Sequence, residues 1–251
     1  MTPFDAFFTI PFHEADQAQR ARILSRLADT ELFAALVTEP TGDKAELRVF
    51  PLDNGSVALA CDAEDRLAGF MGGPVAYVAL PGRVLAATLV NEHRGLLVNP
   101  GEPSEMLLDA PTLGWLVDAL EAEPSLASDE TPRQVRAPDL AVVSCLAEPI
   151  STRLGDMAGM VQSAALVAAD WEDGRSNHVL MLKGVDESHR SAVAKAFAEL
   201  MAFLPEIAGG VDLAFTSAMH PPVALVIDVP QPEAPQPAAR RDPNAPPILR
   251  F

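Results

Sequence analysis

From its first residues the chain alternates between stretches whose apolar residues keep helical spacing and short runs that are apolar throughout. In residues 15–27, Ala21, Ile23, Leu24 and Leu27 recur at near-helical spacing among Gln and Arg, which predicts an amphipathic helix. Residues 32–38 (LFAALVT) read as a strand. Residues 47–50 and 57–61 read as a hairpin, because Asp53-Asn54-Gly55 between them supplies tight-turn chemistry. Asp62 is placed to cap a helix running to about Phe70, which Gly72-Gly73-Pro74 ends. A strand over 75–80 follows, Pro81 opens a helix near 82–91, and 95–98 is a further strand. A helix over about 110–122 carries Leu113, Leu116, Val117 and Leu120 on one side. Helices alternating with apolar strands predict a mixed α/β sheet with helices on its faces.

Residues 123–138 (EPSLASDETPRQVRAP) hold three prolines and no apolar period, so 124–138 reads as a linker after a first domain of residues 1–123. Beyond it, residues 139–229 read as strand (140–147), helix (152–161), strand (164–169), strand (177–182), helix (187–204) and strand (211–216), with 223–229 as an added edge strand. That order is βαββαβ, the split or ferredoxin-like pattern, so the fold class is α/β (α+β) with two domains. Residues 230–251 hold seven prolines, which predicts an extended, partly polyproline tail.

Composition changes this picture little. A length of 251 residues fits two domains, and 49% hydrophobic residues with only 6% aromatics imply cores built from Ala, Leu and Val. The net charge of −17 repels phosphate backbones and anionic lipid, which argues against nucleic acid and membranes as partners. Cys61 and Cys145 are too few and too far apart for a disulfide framework or a zinc site, and read as buried reduced thiols. No basic residue precedes Arg20, and residues 67–91 are broken by Pro74, Pro81 and glycines, so neither a secretory leader nor a spanning helix is expected. The expected compartment is the cytoplasm.

The chemistry is mostly one of absences. No phosphate loop, dinucleotide-binding glycine fingerprint or GxSxG elbow occurs. His13, His93, His178, His189 and His220 are scattered without metal-ligand spacing, so no catalytic residue, metal or cofactor is assigned. His189 in the first turn of a helix is a general base only if a cleft assembles around it, and His178 is expected to face solvent. The turn Asn99-Pro100-Gly101, with Ser104 and Glu105, follows a strand at the sheet end where α/β proteins hold ligands, so Asn99, Gly101, Ser104 and Glu105 are candidate ligand-binding residues. The simpler reading of the same residues is turn chemistry, with Pro fixing φ and Gly taking the turn's awkward conformation. In the tail, Ile248, Leu249 and Phe251 are candidates to dock in a groove on an acidic body, held by Arg240, Arg241 and Arg250.

Three segments, LRVFPLDNGSVALACDAEDRLAGF (47–70), VAYVALPGRVLAATL (75–89) and GLLVNPGEPSEMLLDAPTLGWL (95–116), together resemble the N-terminal domain of the SseB, or enhanced serine sensitivity, family. HVLMLKGVDESHRSAVAKAFAELMAFLPEIAGGVDLAFTS (178–217) is similar to that family's C-terminal domain. The resemblance implies a bacterial cytoplasmic α/β protein linked to serine sensitivity, with no catalytic residues to carry over. The expected function is therefore a non-catalytic interaction or regulatory protein, with a protein partner or self-association. The alternative is a binder of an amino acid or related metabolite, with weak enzyme activity at most, using a concave pocket near Asn99 and Ser104.

Overall fold

The computed structural model describes residues 1–229 except 41, 43, 53, 54 and 128–130. The tail residues assigned to docking, 240, 241 and 248–251, and the turn residues Asp53 and Asn54 lie outside the described residues.

Asp16 starts helix α1 (Gln17–Asp29) by accepting the Gln19 N–H at 2.8 Å, and the helix buries Ala21, Ile23, Leu24 and Leu27. Strands β1 (Glu31–Ala35), β2 (Val49–Leu52) and β3 (Gly55–Cys61) follow, then helix α2 (Glu64–Met71), which the left-handed Gly72 ends as expected. Asp62 makes no cap for α2, whose N-cap is Ala63; its carboxylate is taken by Arg66 instead. After β4 (Tyr77–Pro81), α3 (Gly82–Asn91), β5 (Gly95–Val98) and β6 (Met106–Leu108), Asp109 caps α4 (Ala110–Leu120) by accepting the Thr112 N–H at 2.9 Å.

These strands form one mixed sheet in the order β4-β1-β3-β5-β6, with β2 also pairing β3 as a hairpin from Val49↔Ala58 to Leu52↔Gly55. Only β3 and β5 run parallel. Helices α1, α3 and α4 pack on one face through Ile23, Leu27, Leu85, Leu89, Leu113 and Leu116, while α2 covers the other through Leu67. The carboxyl ends of β3 and β5 therefore open side by side, with Asp62 and Asn99 just beyond them.

The second sheet contains β7 (Gln134–Arg136), β8 (Ser163–Asp170), β9 (Ser176–Lys183), β10 (Val211–Thr216) and β11 (Leu225–Ile227), covered by α5 (Leu140–Asp156) and α6 (Arg190–Ala202). Two sheets with flanking helices bear out the α/β class, but the ferredoxin-like detail is corrected. Its order is β10-β9-β8-β11, with β9 and β10 adjacent and parallel across α6, so no strand splits the βαβ unit. The expected first strand, 140–147, is the start of α5. An apolar run of that length fits either period; the residues that decide it are Leu146, Ile150 and Leu154, buried at every fourth position. The helix continues through Pro149, forfeiting one rung of its hydrogen-bond ladder.

The linker is also more than a tether. Leu126 bridges Leu213 on β10, with Leu213 N–H to Ser125 O at 2.8 Å and Ala127 N–H to Leu213 O at 2.9 Å, while β7 pairs β8 at the opposite edge. Ala127 and Val135 pack with Val167, Ala169, Trp171 and Val179 on the face away from α5 and α6. The described residues between the halves thus meet the second sheet at both of its edges.

Candidate functional site

A buried, hydrogen-bonded polar constellation lies at the carboxyl ends of β3 and β5. Asn99, in the left-handed region at φ 47°, donates from Nδ2 to Ser104 Oγ (2.8 Å) and accepts the Asp62 N–H on Oδ1 (2.9 Å). Ser104 in turn donates to Asp5 Oδ1 at 2.6 Å. Arg66, one turn into α2, grips Asp5 with both terminal nitrogens (Nη1 to Oδ1 3.1 Å, Nη2 to Oδ2 2.5 Å), reaches Asp62 at 2.9 Å and Glu102 at 3.2 Å. Thr2 donates its backbone N–H to Asp5 at 2.8 Å and its hydroxyl to Asp62 in a short contact. Asn99 and Ser104 are fully buried, and the Asp5, Asp62 and Arg66 side chains are 1%, 2% and 10% exposed. The Arg66 hydrogen bond, helped by Ser104 and the Thr2 N–H, holds the Asp5 carboxyl far below the usual carboxylate range against the opposing effect of burial.

This arrangement binds a carboxylate, and the carboxylate is the chain's own. Asp5 sits where a ligand of an α/β sheet would sit, brought there by a 3-10 turn at Phe4–Phe7 whose Phe4 packs in the core. Asn99 and Ser104 spend their hydrogen bonds inside the fold, and Glu105 closes the turn by accepting the Gly101 N–H at 2.6 Å. None of these four lines any of the described cavities. Composition gave no hint of Asp5, Asp62 and Arg66; the one local signal was the Asp62–Arg66 spacing of four residues, which places an acid and a base on one helical face. Ser104→Ala is expected to lower stability by about 1–3 kcal/mol, because Asp5 and Asn99 each lose a buried partner. Urea unfolding would read the loss, and an unchanged midpoint would contradict it.

A cleft lies elsewhere, between the two halves. It has a volume of about 400 Å³ and is bounded by α1, α5 and α6. Phe7, Ile23, Leu200 and Phe203 form apolar wall; Arg22, Ser25, Thr152, Arg153, Glu148 and Asp156 add polar groups. Ion pairs tie the halves together around it: Arg26 to Asp156 at 3.0 Å, Arg153 to Asp29 at 2.8 Å, and Arg83 to Glu199 at 3.1 Å and to Asp29 in a short contact. Burial pushes the Asp29 carboxyl up, but Arg153 and Arg83 outweigh it and hold the group below its ordinary range. Trp115 on α4 meets Phe203 edge to face at 5.4 Å, and Phe203 joins the core of the first half.

The remaining titratable candidates do not assemble. His189 is exposed in a short 3-10 turn, Glu187–His189. Burial pushes the Cys61 thiol up to about 11, so it is no nucleophile at neutral pH, and Cys145 is half-buried on α5. His178 does not face solvent: it is 5% exposed, with no hydrogen-bond partner on either ring nitrogen among the described residues. It shares a β9 face with Leu180 and Leu182, the face packed by α5 and α6, and the charges felt there are Asp139 and Arg136. Desolvation is the main cause holding its pKa below 6.5. A depressed folded pKa means stability is lost as pH falls below the unfolded value, at up to about 1.4 kcal/mol per pH unit for one proton. His178→Leu is therefore expected to flatten the stability profile below pH 6.5, and parallel profiles for the two proteins in denaturant melts would refute this.

Among the described residues no group of three or more His, Cys, Asp or Glu could hold a metal ion, and no helix is long and apolar enough to cross a membrane. In comparison with known proteins, residues 12–115 match the family described as the SseB protein N-terminal domain. No curated protein and no solved structure matches the chain.

Proposed function

We propose that this chain, whose residues 12–115 are an SseB protein N-terminal domain, acts as a non-catalytic interaction or regulatory protein of the cytoplasm. One observation carries the reading: the constellation at the strand ends, where α/β proteins do their binding chemistry, is filled by Asp5, which is paired with Arg66 and Ser104 within the chain. The described cavities are lined by no histidine, and their one cysteine is Cys145, so neither a histidine base nor a cysteine–histidine pair faces a cavity there. What the surface offers instead is shape and charge, which fits recognition of a partner protein or a second copy. The link to serine enters only through the family resemblance.

The cleft between the halves favours a second reading, a binder of an amino acid or related metabolite. Its size lies within the range of small-molecule sites, and Ser25, Thr152 and Arg22 are polar groups against an apolar wall. A thermal-shift titration with free amino acids and related metabolites separates the two. The interaction reading expects no saturable rise in melting temperature. A saturable rise abolished by Thr152→Arg would overturn it in favour of a metabolite bound in the cleft.

A further inference from the structure

We propose that the cleft between the halves is the docking groove for the chain's own proline-rich tail, with Ile248, Leu249 and Phe251 on its apolar wall and Arg250 on the carboxylates at its rim. The inference goes beyond the reading above and holds whichever partner the protein serves.

The groove is long rather than round. A second hollow of about 180 Å³ lies beside the cleft, and the two share Arg22, Glu148, Pro149, Phe203 and Leu204. Together they run along α5 from Ser144 to Asp156, about 18 Å at the helical rise. Six residues in polyproline conformation span about 19 Å, which is the reach of residues 246–251 (PPILRF). A compact metabolite would leave most of that length empty.

The tail also starts in the right place. Ser151 on α5 donates to Asp228 O at 3.1 Å, and Val229 packs with the core beneath α5 and α6. The described chain therefore ends, at Val229, beside the helix that supplies Glu148, Pro149, Thr152, Arg153 and Asp156 to the groove. Eighteen residues then precede Ile248, enough chain to turn back onto α5 at low entropic cost.

Chemistry matches as well. Proline-rich segments favour grooves with aromatic walls, here Phe7 and Phe203. Glu148, 81% exposed and only 3.7 Å from Arg22 at its nearest, is a carboxylate with capacity for Arg250. The tail carries Arg240, Arg241 and Arg250 against a body that is strongly acidic.

The test is hydrogen exchange of the full chain, following the amides of residues 248–251 against a synthetic peptide of residues 243–251. Docking slows these amides at least tenfold relative to the peptide, and both Glu148→Lys and Thr152→Arg, exposed positions on α5, return them to the peptide rate with the melting temperature unchanged. Exchange at the peptide rate in the unsubstituted chain overturns the proposal. So does protection that survives both substitutions, which places the tail on another surface. Protection that disappears on dilution would assign the groove to the tail of a second copy, and overturns docking within one chain.

Discussion

Replacing Arg66 with methionine is expected to lower the unfolding free energy by about 3–5 kcal/mol at pH 7, the cost of leaving a buried carboxylate without its partner. Two carboxylates are stranded at once, since Asp5 is 1% exposed and Asp62 2% exposed, and only Arg66 offers either a positive charge. For a chain of this size that corresponds to a fall in melting temperature of roughly 6–20 °C. The pH dependence distinguishes charge from packing. In the native protein Asp5 is held far below the ordinary carboxylate range, so its contribution is present above the unfolded value of about 3.9 and fades as pH falls below it. In the variant Ser104 and the Thr2 N–H remain, but Arg66 no longer opposes burial, so the carboxyl's affinity for its proton rises and the gap between the two proteins narrows from pH 7 towards pH 4. Urea melts at both ends of that range give the result. A gap that stays constant would mean the loss comes from packing of the arginine stem.

The second large effect is expected at Gly82, the first residue of α3. Its N–H donates to Thr30 O at 2.9 Å, drawing the start of α3 onto the end of α1. A Cβ there would lie 2.0 Å from the Leu27 carbonyl oxygen and 2.9 Å from its carbon, and backbone offers no rotamer to swing aside. Gly82→Ala must part the two helices, at about 3 kcal/mol or more. The control is Gly114→Ala within α4, where an added Cβ meets nothing within 4 Å. There alanine's better helix propensity is expected to stabilise by about 0.5–1 kcal/mol. Similar midpoints for the two variants in chemical denaturation would refute the close-approach account.

What the sequence made legible was what local rules encode. The hairpin around Gly55, the opening of α3 by Pro81 and the end of α2 at Gly72 each depend on residues within one turn of each other. Residues 140–147 failed that test because a short apolar run carries no period of its own; the deciding residues, Ile150 and Leu154, lie further along. His178 failed because exposure of a strand residue is set by which helices cover its face, and α5 had been read partly as a strand. The carboxylate cluster was half legible. Asn99 and Ser104 were picked out by their place after a strand, but as ligand contacts. Their partner Asp5 lies 99 residues from Ser104 in the chain, and no spacing rule links them. A site of this kind becomes readable only when the topology that brings β3, β5 and the amino-terminal turn together is known.

Because residues ahead of 139 hold both edges of the second sheet, the seam in space and the seam in the chain do not coincide. A fragment begun at residue 139 would discard Ser125–Ala127 and β7, uncovering the outer edge of β10 and one end of β8. Bare edges of that sort recruit strands from other molecules. The residues that look most dispensable by composition are thus what covers these edges, and the divisible point lies before Pro124.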